Sequence, residues 1–104
     1  AISIYSQIEN TKDELSTLHY LRGLAYTKKF ELSQAIKDYT FSIKFNNKNH
    51  LAYFNRGLTY MKLNNKNDAL KDMKRAKELG NSDVTTILKK HFKNNSKSLL
   101  QKKA

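Results

Sequence analysis

The chain has 104 residues, which is enough for one small domain. It contains three glycines, no proline and no cysteine, a composition that disfavours turn-rich β-structures and excludes disulfides and thiolate metal sites. The net charge is +11, from 20 basic and 9 acidic residues. This charge comes either from biased codon usage or from a function that attracts an acidic partner.

The start of the chain gives no sign of a membrane or secretory signal. No apolar run reaches the roughly 18 residues of a membrane-spanning helix, and no basic region precedes the first apolar residues. The sequence does not begin with methionine, so we expect a mature product or a fragment of a longer protein. We expect a cytoplasmic location, because the lack of cysteine is compatible with a reducing compartment.

Apolar spacing predicts two pairs of helices. The first pair covers residues 15–29 and 33–45, and the second covers residues 49–63 and 67–79. Asparagine clusters or short polar turns separate them. Gly80 follows the fourth helix directly, at a place where a left-handed C-cap is common.

A last helix is predicted after Gly80, with Asn81 or Ser82 as its cap. Its face-forming residues recur at helical spacing and are Val84, Ile87, Leu88, His91 and Phe92. We expect this helix to cover the open end of a stack of helices.

The two helix pairs repeat at a constant offset of 34 in residue number, the offset between Gly23 and Gly57. Aligning 16–49 on 50–83 gives nine identities: Arg22/Arg56, Gly23/Gly57, Leu24/Leu58, Tyr26/Tyr60, Lys28/Lys62, Ala35/Ala69, Lys37/Lys71, Asp38/Asp72 and Asn47/Asn81. The same offset also relates the N-terminus to the second helix of the first pair, through the matches Ala1/Ala35, Ile2/Ile36 and Tyr5/Tyr39. The N-terminus therefore resembles the second half of an earlier repeat.

A helix-turn-helix repeat with this offset and this signature resembles the tetratricopeptide repeat. The signature residues are His19, Gly23, Tyr26, Ala35, Tyr39 and Ser42 in one copy and Tyr53, Gly57, Tyr60, Ala69, Met73 and Ala76 in the next. The resemblance implies an all-α, right-handed superhelical solenoid over residues 1–93. Its parts are a half repeat (1–15), two full repeats (about 16–49 and 50–83) and a capping helix (82–93), followed by a basic tail (94–104).

The resemblance gives the motif residues structural roles. Gly23, Gly57, Ala35 and Ala69 would let the two helices of a repeat approach closely, and Tyr26 and Tyr60 would fill the space beside them. The first repeat contains Arg22 and Asp38, and the second contains Arg56 and Asp72 at the corresponding positions. The arginine and the aspartate are therefore separated by the same number of residues in both repeats. We expect each pair to form an ion pair between the helices of its repeat.

The sequence departs from the family pattern at a few positions. Asn47 and Asn81 stand where the family has proline after the second helix. Phe30 stands where a turn glycine is common, and we expect a distorted turn there.

In this family the first helices of the repeats line a concave groove that binds peptides or helices of partner proteins. By similarity, the groove residues are Tyr20, Leu24 and Lys28 in the first repeat and Phe54, Asn55, Leu58, Met61 and Lys62 in the second. Leu24 and Leu58 have core positions as an equally weighted alternative. The partner is expected to be a protein or peptide, with acidic groups that suit the lysines. The exposed ends of the stack would also allow a homodimer.

Several other functions are not expected. A clamp for the carboxylate of heat-shock chaperones would need a lysine and an asparagine where Tyr20 and Leu24 stand. The three histidines lie far apart without neighbouring carboxylates, so neither a metal site, nor a cofactor, nor catalysis is predicted. The alternative function is a basic helical module that binds nucleic acid or another polyanion. We rank it second, because the few arginines are expected to pair within the chain and the aromatic residues are expected to pack.

Overall fold

The computed structural model of the protein describes residues 2–90, with side-chain surroundings for residues 10–90. It contains five helices: α1 (Ile2–Lys28), α2 (Leu32–Phe45), α3 (His50–Lys62), α4 (Lys66–Glu78) and α5 (residues 83–90). Helix α1 packs on α2, α3 packs on α4, and α2 packs on α3. No strand occurs in residues 2–90, so the all-α repeat architecture is confirmed. The predicted positions of His91, Phe92 and the tail lie outside the described residues.

The helix limits predicted for α2, α3 and α4 agree with the structure to within one residue at each end. Asparagines set two of the starts. The side chain of Asn49 accepts a hydrogen bond from the Ala52 amide, and that of Asn65 accepts one from the Asp68 amide, each at 3.3 Å. Both asparagines satisfy backbone donors that have no partner within the first helical turn. None of the helices in residues 2–90 is both long and apolar enough to cross a membrane.

The start of the first predicted helix is wrong. We expected a helix from about residue 15, preceded by a separate half repeat, whereas α1 is continuous from Ile2 to Lys28. The reason lies in residues 12–15, which are Lys-Asp-Glu-Leu where the offset of 34 places the turn residues Asn-Asn-Lys-Asn at 46–49. Lysine, glutamate and leucine favour a helix interior, whereas asparagine disfavours it. The same position in the repeat is therefore helical in one copy and a turn in the other.

The expected distortion of the turn at Phe30 is also wrong. Phe30 has φ of 64° and its repeat counterpart Asn64 has φ of 62°. The closing hydrogen bonds match as well, because the Glu31 amide bonds the Tyr26 carbonyl and the Asn65 amide bonds the Tyr60 carbonyl, both at 2.9 Å. The backbone geometry is thus the same in both turns, and the strain falls on Phe30, since a bulky side chain is unfavourable at positive φ.

The helices of each pair approach closely at a glycine of the first helix. A Cβ atom on Gly23 would lie 2.6 Å from Cε1 of Tyr39, whose ring is fully buried. A Cβ atom on Gly57 would lie 3.0 Å from the terminal methyl of Met73 and 3.3 Å from the Ala69 carbonyl oxygen. A methyl group at Gly23 would collide with the Tyr39 ring, and one at Gly57 would fit only if the end of Met73 moved, which explains why each helix tolerates the lower helix propensity of glycine.

Both expected ion pairs are present. In each pair the arginine donates two hydrogen bonds of 2.8 Å, from Nε and Nη2, to the two carboxylate oxygens of the aspartate. Asp38 and Asp72 are almost fully buried, but the side chain of Arg22 is 61% exposed and that of Arg56 is 18% exposed. Hydrogen bonding to Asp38 raises the pKa of Arg22. Burial lowers the pKa of Arg56, but the hydrogen bonds and charge of Asp72 outweigh that effect and raise it overall.

The two helix pairs are held by different interiors. In the first, Ser16 and Ser42 each donate a 2.7 Å hydrogen bond to the carbonyl of the other, and Asn49 donates to both hydroxyls. In the second, the buried cluster is apolar and contains Met73, Ala76 and Val84. The last of these belongs to α5, and so do Ile87 and Leu88, which pack on the same cluster. Helix α5 therefore closes the C-terminal side of α3 and α4.

The two glycines should respond differently to alanine. Gly23→Ala places a methyl group against the buried ring of Tyr39, and overpacking of this kind costs about 1–3 kcal/mol, more than the roughly 1 kcal/mol that helix propensity returns. At Gly57 the nearest atom is the movable end of Met73, so Gly57→Ala should be close to neutral, whereas the larger Gly57→Leu should destabilise. Chemical denaturation of the three variants measures this order. Equal destabilisation by the two alanine variants would contradict it.

The two ion pairs should differ in strength. Removing Asp72 leaves the mostly buried Arg56 without its partner, so we expect the Arg56–Asp72 coupling to be about 2 kcal/mol. The Arg22–Asp38 coupling should be smaller, because water screens the exposed Arg22. Double-mutant cycles with alanine at each pair, followed by urea denaturation, give both values. A coupling at Arg22–Asp38 equal to or above that at Arg56–Asp72 would refute this account.

Relief of the strained turn should stabilise the fold. Phe30 is 71% exposed, so its replacement loses little packing, and asparagine already occupies the same turn position at Asn64. Phe30→Asn should therefore raise the free energy of unfolding by about 1 kcal/mol, or about 4–8 °C in melting temperature. The reciprocal change Asn64→Phe should lower it. A stable Asn64→Phe variant or an unstable Phe30→Asn variant would show that the backbone strain is negligible.

Candidate functional site

An open depression of about 270 Å³ lies where the end of α1 meets α3. Its lining consists of Thr27, Asn55, Leu58, Thr59, Met61 and Lys62. Four of the eight predicted groove residues, all on α3, thus come together at one surface. Leu58 and Met61 supply the apolar part, and Lys62 is the charged residue of the lining. A small concave site with an apolar lining and few polar groups is the usual form of a binding site.

Hydrogen bonds hold the walls of this depression. The side-chain amide of Asn55 donates to the Tyr20 hydroxyl at 3.1 Å and to the Leu51 carbonyl at 3.0 Å. Tyr20 belongs to α1, so this bond joins the first helices of the two repeats. With both amide hydrogens engaged, Asn55 keeps its carbonyl oxygen as an acceptor that has no partner in the described part of the chain. Asn55 therefore holds α1 and α3 together at this wall, and its side-chain carbonyl oxygen can accept a hydrogen bond.

On the α1 side of the depression, hydrogen bonds connect the wall to buried residues. The Thr27 hydroxyl donates to the Gly23 carbonyl at 2.9 Å and lies 2.9 Å from the Tyr39 hydroxyl. The rings of Tyr20 and Tyr39 lie 6.0 Å apart. Burial raises the pKa of both phenols, so both stay protonated and able to donate at neutral pH. The wall is continuous with the close contact at Gly23.

The remaining predicted groove residues lie elsewhere. Phe54 packs on the cluster of Met73, Ala76 and Val84, as Leu58 and Met61 also do, but unlike those two residues it does not line the depression. Tyr20 does not line the depression, but its hydroxyl accepts a hydrogen bond from Asn55, which does. Leu24 is half-buried and Lys28 is exposed at the last turn of α1, and neither lines the depression.

Two residues near the depression were missed by sequence reasoning. Thr59 lines it, although its repeat position was not assigned to the groove. Phe30 lies next to it, because the Lys62 ammonium group sits 6.0 Å from the centre of the Phe30 ring. The departure from the family's turn glycine was a signal for Phe30 that could have been followed. An exposed aromatic residue at positive φ is a strained position, and such positions cluster at functional sites.

Two histidines of the described residues have partners within the chain. Within residues 10–90 no group of three His, Asp or Glu side chains could hold a metal ion. The Nδ1–H group of His19 donates to the Leu15 carbonyl oxygen at 2.8 Å, and the ring contacts those of Phe41 and Phe45. His50 bonds the side-chain amide of Asn81 at 3.0 Å. Both histidines thus have packing or capping partners.

These features define a class of protein. Two helical hairpins repeat at the offset of 34 along the chain, and each has a glycine contact and a buried aspartate paired with an arginine. The protein is therefore built of helical repeats, in which neighbouring repeats bury each other's faces.

The particular family follows from comparison with known proteins. Residues 50–83 match the family model of the tetratricopeptide repeat. The chain therefore contains a tetratricopeptide repeat at residues 50–83, and residues 16–49 repeat its sequence at the offset of 34. A comparison with curated proteins found no match. The tetratricopeptide repeat is typical of modules that bind other proteins and are generally not catalytic.

Proposed function

We propose that the protein binds a segment of a partner protein in the depression between α1 and α3, and that this segment carries both apolar and acidic groups. The observation that carries the proposal is the joining of Leu58, Met61 and Lys62 in one concave site. Apolar side chains of the segment would contact Leu58 and Met61, and a carboxylate would approach Lys62. An amphipathic helix presents such groups on one face at regular helical spacing.

Phe30 extends this site. Its ring is 71% exposed and lies within cation–π distance of Lys62. Exposed aromatic side chains are frequent anchors of binding surfaces because they bury a large area with few rotatable bonds. We infer that Phe30 contacts the bound segment, which gives a reason for a bulky residue at a strained position.

The arginines favour a protein partner over nucleic acid. Arg22, Arg56 and Arg75 all pair with acidic side chains of the chain itself. Binding of a polyanion would then depend on scattered lysines, and its affinity would fall steeply with salt. Binding in the depression would instead depend on a particular lysine and on apolar contacts.

A pair of designed peptides tests the proposal. One amphipathic helical peptide carries leucine on one face and glutamate on the other, and the second replaces every glutamate by lysine. Fluorescence anisotropy at physiological salt should show binding of the glutamate peptide only. Lys62→Glu should weaken it about fivefold, the effect of roughly 1 kcal/mol. The control Lys71→Glu, which changes an exposed lysine of α4, should have little effect.

Two outcomes would overturn the proposal. Equal weakening by Lys62→Glu and Lys71→Glu would show attraction to the net charge alone. Tighter binding of a random single-stranded oligonucleotide, with the same response to both variants, would favour the polyanion alternative.

Phe30→Asn separates binding from stability. The variant should unfold at a higher temperature, because the turn strain is removed, yet it should bind the glutamate peptide several-fold more weakly. Unchanged affinity in this variant would exclude Phe30 from the site and leave the depression itself as the proposed site.

A further inference from the structure

One face of α1 is built like a contact between repeats but is uncovered in the described residues. Leu18, Arg22 and Ala25 lie at helical spacing, so they share a face of the helix. Leu18 is 60% exposed, the side chain of Arg22 is 61% exposed, and Ala25 is exposed. A concavity of about 380 Å³ beside them is lined by Leu15, Leu18, His19 and Arg22. We name Leu18, Arg22 and Ala25 the α1 stripe.

The second repeat shows what normally covers this face. The counterparts of the α1 stripe at the offset of 34 are Ala52, Arg56 and Thr59, with exposures of 0%, 18% for the side chain, and 1%. Arg56 contacts α2, since its Nη1 donates to the Thr40 hydroxyl of that helix at 3.2 Å, and Ala52 and Thr59 are buried on the same helix. In the second repeat the face is thus covered by the second helix of the preceding repeat.

The first turns of α1 have the sequence of such a covering helix. Ser6 takes the place of Thr40, the residue of α2 that contacts Arg56, and the matches of Ile2 and Tyr5 with Ile36 and Tyr39 of α2 set the repeat register. These first turns, residues 2–11, are the part of this chain whose sequence fits the α1 stripe.

A single copy of the chain cannot make this contact. Helix α1 is continuous, so Ser6 and Arg22 lie on one rod at a distance of about 24 Å along its axis. The fold-back would need a turn at residues 12–15, and the helix-forming sequence Lys-Asp-Glu-Leu replaces the Asn-Asn-Lys-Asn turn there. A second copy has no such restriction, because an antiparallel partner brings its first turns onto the stripe.

We propose that two copies of the protein exchange the first turns of α1, so that residues 2–11 of each copy cover the α1 stripe of the other. The two α1 helices run antiparallel about a two-fold axis, and both contacts are the same, so the assembly closes as a dimer. In this register Ser6 of one copy stands opposite Arg22 of the other, as Thr40 stands opposite Arg56 within the chain. This self-association goes beyond the proposed peptide binding and uses different residues.

Sedimentation equilibrium of the full chain tests the dimer. The wild-type protein should have twice the monomer mass of 12.1 kDa. Leu18→Glu, which puts a charge in the covered stripe, should have the monomer mass. Its control Leu63→Glu changes a leucine with a similar exposure of 47% at the C-terminal end of α3, away from the α1 stripe and from residues 2–11, and should remain a dimer. A monomeric wild-type protein at the highest soluble concentration, or loss of the dimer in both variants, would overturn the proposal.

A second variant tests the exchange itself. Replacing Lys12→Asn, Asp13→Asn, Glu14→Lys and Leu15→Asn gives residues 12–15 the turn sequence of 46–49. This variant should fold its first turns back onto its own stripe and have the monomer mass, with a helical circular dichroism signal and melting temperature near those of the wild type. A dimer in this variant would show that the copies associate without exchanging α1. A monomer whose melting temperature has fallen as far as that of Leu18→Glu would show that the first turns do not cover the stripe.

Discussion

The close approach of two helices at a glycine is the constraint on which the structure depends. At Gly23 the ring of Tyr39 occupies the space that a side chain would take, and at Gly57 Met73 and the Ala69 backbone do so. This contact fixes the distance between the helices of each pair, and that distance lets an arginine of the first helix reach an aspartate of the second with two hydrogen bonds. The ion pairs then follow from the geometry, and they neutralise aspartates that would otherwise be buried as unpaired charges.

The two repeats use this geometry with different interiors, and the difference determines where each one contacts its neighbours. The serine pair of the first repeat also receives two hydrogen bonds from Asn49, the residue that starts α3. A polar group buried between helices is favourable only with its partners in place, so this network fixes the position of α3 on the first hairpin. The second repeat has Ala76 and Met73 in its interior and offers an apolar surface instead. Helix α5 packs there mainly through apolar contacts, and one side-chain hydrogen bond, between Asn81 just before α5 and His50 of α3, joins it to the second repeat.

The sequence predicted the features that both copies of the repeat share, and it failed where two local signals disagreed or where several elements meet. The internal repeat predicted four helices, the glycine contacts and the ion pairs, since each copy supported the other. The helical state of residues 12–15 was missed, because the repeat register suggested a turn while residue propensities favoured a helix, and the propensities prevailed. Phe54 was assigned to the groove from its repeat position. In the structure it packs on a cluster that includes Val84 of α5, and its role in a groove stays a prediction. Thr59 and Phe30 were missed because two helices and a turn together shape the depression. The position of a residue within one repeat does not show which residues of the neighbouring elements lie beside it.

The two ends of the described structure have opposite properties, and this limits how the protein can associate. Helix α5 covers the C-terminal side of the second repeat with Val84, Ile87 and Leu88, whereas the α1 stripe leaves the N-terminal side of the first repeat uncovered. A repeat stack with two open ends would join head to tail, and such contacts extend without limit unless a ring closes. With one end covered, head-to-tail joining has no second surface to use within residues 2–90. In the proposed dimer this open end pairs with its own copy, and the depression between α1 and α3 remains free on both copies. A two-fold pair would present two such sites, so a partner with two acidic segments would bind with an increased effective concentration for its second contact.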